Sequence, residues 1–245
     1  MYSLAISSSG KYISVALHDE LLVSSSSVLA KNGTTNLLMQ NIDELTKKSE
    51  IKRDQIEVVY LDIGPGFFTS LRIGLAVAQG ICGSLGIPLI PVNGLDALAF
   101  AAHTSHRQIY TVIDIKRDEY AFCIYKPVPG GVVRELEPIV VNLESLLDRF
   151  NEDNQKKLLV GNWRNIDQKH LNKNSYIKTA SPEFVSSEHI YQLGKELYKK
   201  REFTNFNEIE LFYMREPDVS LSTNSLTKEV NFYDWKNWVF KLRIS

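Results

Sequence analysis

The sequence predicts an α/β protein of two lobes, each with a mixed sheet flanked by helices. Short apolar runs separated by turn residues are typical of strands and hairpins, and longer runs with apolar residues at helical spacing lie between them. The same order of elements, three strands, a helix, a strand and a helix, occurs twice along the chain. The two halves share no visible sequence identity, so the repeat concerns element order alone.

The first repeat is expected over residues 2–102. Its strands are predicted at Tyr2–Ser7, Tyr12–Leu17, Leu21–Leu29, Val58–Ile63 and Pro88–Val92. Leucine and isoleucine recur at i, i+4 and i+7 within Thr34–Ser49, which predicts an amphipathic helix. A longer helix, Thr69–Leu85, follows a glycine-rich turn, and Asn93 is a suitable cap for a third helix.

The second repeat is expected over residues 109–200. Its strands are predicted at Ile109–Ile115, Glu119–Tyr125, Val132–Val141 and Lys157–Val160. Asn142 is a suitable cap for one helix, and the last helix spans His189–Lys200. This duplicated plan is that of the ribonuclease H-like and actin-like ATPase folds. We therefore expect an amino-terminal lobe at 1–104, a carboxy-terminal lobe at 105–218, and a linker with an aromatic tail at 219–245.

Composition excludes several classes of protein. Hydrophobic residues make up 44% and charged residues 23% of the 245 residues, as in a globular protein with a true core. The net charge of −1 lacks the broad basic field of a protein that binds nucleic acid unaided. The two cysteines, Cys82 and Cys123, lie in apolar runs and are expected to be buried thiols. The chain opens without the pattern of a signal peptide and contains no long membrane span, so we expect a cytoplasmic protein.

The most specific segment is the turn and helix start Gly64-Pro65-Gly66-Phe67-Phe68-Thr69-Ser70-Leu71-Arg72-Ile73-Gly74-Leu75-Ala76. Gly64 and Gly66 permit a tight strand-to-helix turn, and Thr69 is a suitable cap for the helix. N–H groups at such a helix start can bind an anion. The segment lacks the ending of a Walker loop and the third glycine of a dinucleotide fingerprint. Phosphate binding and a purely architectural turn both remain open from the sequence.

The long helix predicts an interaction surface. Gly74, Ala78 and Cys82 form a stripe of small residues at i, i+4 and i+8, and most of the remaining surface is apolar. Either its own lobe covers every side of the helix, or a second subunit covers one. Under the second hypothesis, residues of both long helices form the interface: Leu38, Ile42, Leu45, Leu71, Gly74, Leu75, Ala78 and Cys82.

Several runs together resemble one known family. They are Leu4-Ala5-Ile6 with Val15-Ala16-Leu17, Gly64 to Ala76, Gly80-Ile81, Leu85 to Pro88, Val92 to Ala97, Asp114 with Glu119, and Phe212 to Arg215. They resemble the bacterial TsaB (YeaZ) family, whose signature in the densest part is GPGSFTGLRIG. The resemblance covers most of residues 2–216. This chain has Phe67 and Ser70 where that signature has serine and glycine, and Lys116 where the family usually has arginine.

The resemblance implies a function in threonylcarbamoyladenosine synthesis on tRNA, at the adenosine beside the anticodon in tRNAs that read codons beginning with A. It implies a non-catalytic subunit that binds a TsaD-type catalytic subunit and a TsaE-type ATPase, while a TsaC-type enzyme supplies threonylcarbamoyl-adenylate. It also implies a homodimer, contact with tRNA only through the complex, and ATP use by the assembly with no cofactor on the isolated chain. We expect homodimer and heterodimer to compete for one surface.

Autonomous catalysis is the alternative, as a small ATPase or phosphotransferase of actin-like fold. Its nucleotide cleft would be formed by residues at the predicted turns: Gly64, Gly66, Thr69, Asp114, Lys116 and Glu119. Family members usually carry aspartate where this chain has Ser7, and a serine hydroxyl is a poor ligand for Mg²⁺. The sequence lacks HExxH, HxxxH and GxSxG motifs, so no metal site, peptidase or serine hydrolase is predicted.

The carboxy-terminal tail carries its own pattern. Residues Ser220–Thr227 are rich in serine and threonine, as in a linker. Beyond them, large apolar residues line one face of a predicted short helix: Phe232, Trp235, Trp238, Val239 and Leu242. The tail either folds back onto its own chain or docks on a second protein.

Overall fold

The computed structural model describes residues 1–30, 34–171, 174–200 and 205–214. Its strands are β1 (Tyr2–Ser7), β2 (Tyr12–Asp19), β3 (Leu21–Leu29), β4 (Ile56–Asp62), β5 (Leu89–Val92), β6 (Gln108–Asp114), β7 (Glu119–Val128), β8 (Gly131–Asn142), β9 (Lys157–Gly161) and β10 (Ile177–Thr179). Its α-helices are α1 (Thr34–Lys48), α2 (Phe68–Leu85), α3 (Gly94–Ala101), α4 (Leu143–Asn151), α5 (Gln168–Leu171) and α6 (Ser187–Lys199). Short 3-10 helices lie at Arg53–Gln55, Trp163–Asn165 and Phe206–Glu208.

The two sheets have the same topology. The first has the order β3-β2-β1-β4-β5, and the second has the order β10-β9-β6-β7-β8, so each is built around its first strand. In both, the first three strands form an antiparallel meander, and the remaining two pair in parallel on the other side. This topology confirms the predicted duplication of a mixed α/β unit and the two-lobed fold class.

Helices α3 and α6 lie between the two sheets. One apolar cluster contains Tyr60 and Ile90 of the first sheet, Leu98 of α3, Ile190 of α6 and Cys123 of the second sheet. Both sheets therefore bury one face against the same pair of helices. Since apolar burial contributes about 25 cal/mol per Å², this shared core holds the two lobes as a single packed unit.

A polar contact also joins the lobes beside this core. Asp96 of α3 accepts hydrogen bonds from Tyr125 Oη at 2.7 Å and from Arg134 Nε at 2.8 Å. The pKa of Tyr125 is raised, first by burial and then by the neighbouring carboxylate. Because Arg134 contacts both carboxylate oxygens of Asp96, the pair fixes the orientation of α3 on the second sheet.

The outer faces of both sheets are covered by the remaining helices. α1 and α2 cover the first sheet through a cluster that includes Leu38, Ile42 and Cys82. On the second sheet, Leu146 and Phe150 of α4 and Leu171 of α5 belong to a matching cluster. Cys82 and Cys123 are both buried free thiols, as the sequence predicts.

Two of the three predicted helix caps are confirmed. The Oδ1 atom of Asn93 accepts from Leu95 N at 2.9 Å, and that of Asn142 accepts from Ser145 N at 2.8 Å. Thr69 does not cap α2. The N-cap is Phe67, which makes no side-chain capping bond, so the turn before α2 positions the helix through its backbone. The linker and aromatic tail predicted at 219–245 lie outside the described residues.

A buried histidine makes the stability of this fold dependent on pH. His18 of β2 is 3% exposed, and its ring stacks on Tyr191 of α6 with the centroids 3.5 Å apart. Burial lowers the pKa of His18 to about 4. An unfolded histidine titrates near its ordinary pKa of about 6.5, so between these two values only the unfolded chain binds the proton.

We therefore expect the free energy of unfolding to fall as pH drops from about 6.5 to about 4, by up to roughly 3 kcal/mol from this group. Urea unfolding across that range measures the fall. His18→Phe retains a stacked ring and removes the titration, so its loss of stability in the same range should be smaller. An identical fall in both proteins would contradict the assignment.

Candidate functional site

The glycine-rich turn between β4 and α2 is held by backbone hydrogen bonds. Gly64 adopts a φ of +104°, in the region that favours glycine. Its carbonyl accepts from Gly94 N at 2.7 Å, and Phe67 N donates to the carbonyl of Ser9 at 2.7 Å. The turn is thereby joined to the start of α3 on one side and to the β1–β2 turn on the other.

The glycine-rich turn packs against other parts of the chain. In a phosphate-binding loop, the same backbone would contact the ligand. A Cβ added to Gly66 would lie 2.2 Å from the carbonyl oxygen of Ser9, so the glycine permits the two turns to touch. The N–H of Phe67, the residue before the helix, is already used by that same carbonyl. Of the two hypotheses for this segment, the geometry supports the architectural turn.

Asp62, the last residue of β4, is the buried centre of this region. It is 0% exposed. Its Oδ2 atom accepts from Ser7 Oγ at 2.8 Å and Ser9 Oγ at 2.5 Å, and its Oδ1 atom accepts from Gly64 N at 2.9 Å. Burial raises the pKa of Asp62, and these three hydrogen bonds oppose the rise. Ser7 therefore acts as a hydrogen-bond donor to the neighbouring strand's carboxylate.

A cavity of about 220 Å³ opens next to these turns, between the lobes. The first lobe lines it with Ser9, Gly10, Lys11, Tyr12 and Phe67, and the second lobe contributes Asp114, Asn162, Arg164, Asn165 and Glu183, among others. The ring of Tyr12 stacks on Phe184, with centroids 4.7 Å apart, and Arg164 pairs with Glu183. The cavity thus has aromatic walls and charges of both signs.

Asp114 ends β6 and Lys116 lies in the β6–β7 turn, which correspond in the second repeat to the end of β1 and the β1–β2 turn of the first. The carboxylate of Asp114 accepts from Lys116 N at 2.8 Å and from Asn165 Nδ2 at 2.7 Å. Lys116 begins a run of three residues with positive φ, and its ammonium lies 4.3 Å from the ring centroid of Phe67. This cation–π contact crosses from one lobe to the other.

The structure separates the residues predicted to form one nucleotide cleft. Asp114 lines the cavity, and Lys116 adjoins it through Phe67, whereas Gly64, Gly66 and Thr69 do not line it. Glu119 closes the β6–β7 turn through its backbone, since its carbonyl accepts from Ile115 N. Lys11, Tyr12 and Phe184 were missed, because only the folded chain places the β1–β2 turn opposite the loop before α6.

No group of three or more histidine, cysteine, aspartate or glutamate side chains placed to hold a metal occurs among the described residues.

The structure places most of the predicted interface residues in the core of the first lobe. Gly74, Ala78 and Cys82 are buried against the chain's own first sheet, and a Cβ added to Gly74 would lie 2.4 Å from Ser8 Oγ. Within the same core, Leu38, Ile42, Leu45 and Leu71 are also buried, and Leu75 is partly buried. The small-residue stripe therefore packs within the chain's own first lobe, against the sheet and the β1–β2 turn. This packing concerns contacts within the chain and does not test whether the two helices bind a partner.

The surface that α2 presents outward is a different one. Ala76, Gly80 and Ser84 are exposed, and Ile73 and Val77 are partly exposed beside them. We call these five residues the outer face of α2. The helix has a mean hydropathy of 1.2 over 18 residues, and only 22% of those residues are fully buried, because several others are partly buried against the core. By length and composition alone it could cross a membrane, but its packing on the first sheet is that of an α/β helix.

Comparison with known proteins identifies the family. The family model for tRNA N6-adenosine threonylcarbamoyltransferase (TsaD) matches residues 28–196. Among curated relatives, the tRNA threonylcarbamoyladenosine biosynthesis protein TsaB of Buchnera aphidicola (subspecies Baizongia pistaciae) is 26% identical, covering 70% of this chain and 80% of its own length. The TsaB of Bacillus subtilis is 24% identical, covering 80% of this chain and 88% of its own length.

Solved structures show the same fold. YeaZ from Pseudomonas aeruginosa aligns with a TM-score of 0.70 and 19% identity, over 86% of this chain and 99% of that structure. A second structure from that organism, described as similar to peptidase YeaZ, aligns with a TM-score of 0.74 and 20% identity, over 87% and 99% of the two chains. The chain belongs to the family described by the TsaD model, and its relatives place it among the TsaB (YeaZ) members, with their two-lobed actin-like fold.

The hydrogen bond from Ser7 to Asp62 predicts the effect of restoring the family's usual residue. In Ser7→Asp two carboxylates would face each other in a buried site, and we expect a loss of at least about 2 kcal/mol in unfolding free energy. Ser7→Ala, the control, removes one hydrogen bond and should cost about 1 kcal/mol. Urea unfolding at neutral pH compares them. A Ser7→Asp protein as stable as the wild type would contradict this arrangement.

Because one side of α2 is buried and the other is exposed, a glutamate substitution should affect stability strongly on the first side and weakly on the second. Ala78→Glu places an unpaired charge in the core and should destabilise by at least about 3 kcal/mol. Gly80→Glu, on the outer face, should change stability by less than about 1 kcal/mol, since an added Cβ meets no atom within 4 Å. Thermal unfolding distinguishes them. Equal melting temperatures would mean that the inner and outer sides of α2 are wrongly assigned.

Proposed function

We propose that this chain is a non-catalytic subunit needed for threonylcarbamoyladenosine modification of tRNA, and that it acts by binding a TsaD-type catalytic subunit. The curated TsaB relatives carry the pathway in their names. The single observation that carries the binding role is the outer face of α2, an uncharged and mostly apolar surface on a helix in which only 22% of the residues are buried.

The chemistry of this face favours a protein partner. Arg72 is the single charged residue in α2, and it is already engaged, since its Nε donates to Tyr213 Oη at 3.1 Å and its guanidinium lies 3.9 Å from the Phe68 ring centroid. Interface cores are depleted of charged residues. Ala76 and Gly80 project little beyond the backbone, so a partner helix can approach closely along this side.

The glycine-rich turn supports a non-catalytic role. In a nucleotide-hydrolysing relative of actin-like fold, a carboxylate at the end of the first strand would face the cleft. Here the equivalent Ser7 is fully buried and donates to Asp62, and Gly66 packs on Ser9. These groups stabilise the turn and are not directed at a ligand.

The remaining partners are part of the same proposal. In the proposed assembly a TsaE-type ATPase joins the two subunits, ATP is used by the complex, and a TsaC-type enzyme supplies threonylcarbamoyl-adenylate. The tRNA is contacted through the complex, in keeping with a net charge of −1. A second copy of this chain competes for the outer face of α2, so homodimer and heterodimer exclude each other. We expect the chain and this complex to be located in the cytoplasm.

Gly80→Arg tests the placement of the interface. The substitution puts a long charged side chain on the outer face of α2 without altering the core, and we expect co-purification with the catalytic subunit to weaken by at least about tenfold, or 1.4 kcal/mol. Modification of tRNA by the reconstituted enzymes should fall in parallel. Asp148→Arg, at an exposed position of α4 in the other lobe, is the matched control and should leave both unchanged.

Unchanged binding of Gly80→Arg would place the interface elsewhere. The alternative function, an autonomous ATPase or phosphotransferase, draws on the interlobe cavity with Lys11 and Asp114 in its lining. Isothermal titration of the isolated chain with ATP and Mg²⁺ separates the two functions. Tight binding with turnover by the chain alone would overturn the non-catalytic proposal.

A further inference from the structure

The carboxy-terminal end of the described chain lies along α2. Gln79 Nε2 donates to the carbonyl of Phe206 at 2.8 Å, and the Phe206 ring is 3.7 Å from the position of a Cβ on Gly83. Further along, Tyr213 contacts the first turns of the helix through Arg72. The segment therefore runs antiparallel to α2, from its last turns to its first.

Backbone and ring contacts fix this segment in place. Phe212 N donates to the carbonyl of Ile63 at 2.8 Å, and Ile209 is buried in the cluster beneath α2. The ring of Tyr213 lies 5.0 Å from that of Phe68, centroid to centroid. The described chain thus ends near the first turns of α2, where Met214 packs against the core shared by the two sheets.

The residues that follow have the composition to cover that face. Beyond Met214 the sequence continues to Ser245, with large apolar residues at the helical spacing already noted from Phe232 to Leu242. At about 3.3 Å per extended residue, against about 1.5 Å per helical residue, the chain between Tyr213 and Phe232 can reach any part of α2. Trp235 and Trp238 are large side chains, and Ala76 and Gly80 leave room above the helix.

We propose that the aromatic tail, Phe232–Leu242, docks in cis on the outer face of α2 and competes there with protein partners. The two segments are complementary in composition, since α2 exposes small apolar residues and the tail sequence is rich in large ones. The attachment point at Tyr213 raises the effective concentration of the tail at this face. Apparent affinity for any partner that needs the face then falls by the fraction of molecules in which the tail covers it.

Tryptophan fluorescence of the isolated chain tests the docking. Of the three tryptophans, Trp163 is in the second lobe and the other two are in the tail. In a Trp163→Phe background the emission therefore reports the tail alone. We expect Gly80→Arg to shift that emission to the red and to raise acrylamide quenching severalfold, since the tail loses its apolar site. Asp148→Arg should leave both unchanged.

Unchanged quenching in Gly80→Arg would overturn the proposal. In the protein that keeps Gly80, acrylamide quenching of the tail tryptophans that rises on dilution would also overturn the proposal, because the tail would then dock on a second copy. If the Trp163→Phe protein fails to fold by circular dichroism, the comparison is made in the native background. The signal of a chain ended after Ser220 is then subtracted.

The competition rests on the proposed function, and the docking does not. We expect the chain ended after Ser220 to bind the TsaD-type subunit severalfold more tightly than the full chain, by titration calorimetry. Equal affinity of both chains would overturn the competition. If docking is observed while neither chain binds the catalytic subunit, the proposed function fails and the docked tail stands.

Discussion

The buried carboxylate of Asp62 ties together the segments that give the first lobe its form. It lies at the end of β4 and receives hydrogen bonds from the end of β1, from the β1–β2 turn and from the backbone of the glycine-rich turn. The Ser7 hydroxyl that donates to it also lies 3.2 Å from the carbonyl of Val185, just before α6. A buried carboxylate is costly unless its lone pairs are filled, so these segments are fixed relative to one another.

That constraint sets the direction of α2. With Phe67 N bound to Ser9 and Gly66 in contact with the same residue, the helix leaves the turn with its small residues directed at the sheet. Gly74 then lies against Ser8, and the Oγ atom of Ser8 donates to the carbonyl of Ser70 at 2.9 Å. The opposite side of the helix, with Ala76 and Gly80, faces outward. One polar network thus decides which apolar surface of α2 remains exposed.

The rest of the molecule also combines tightly packed interfaces with surfaces that stay exposed. The lobes share a core through α3 and α6, and the Asp96–Arg134 pair reinforces it, so the cavity between the lobes is bounded by two fixed walls. The turn that would contact a nucleotide's phosphates is occupied by protein. The family places the chain in threonylcarbamoyladenosine biosynthesis on tRNA, and the proposed function assigns the exposed face of α2 to a partner.

Local patterning was sufficient for the duplicated element order, the caps at Asn93 and Asn142 and the burial of both cysteines, because each depends on residue spacing or on short-range hydrogen bonds. The signature after Gly64 was sufficient for the family. The tertiary structure alone decided which side of α2 faces the sheet, since every side of that helix is apolar and periodicity cannot rank them. It alone also decided the role of Ser7, because the hydrogen bond to Asp62 joins residues distant in sequence. The cavity residues Lys11 and Phe184 likewise meet only once two sheets have packed on one pair of helices.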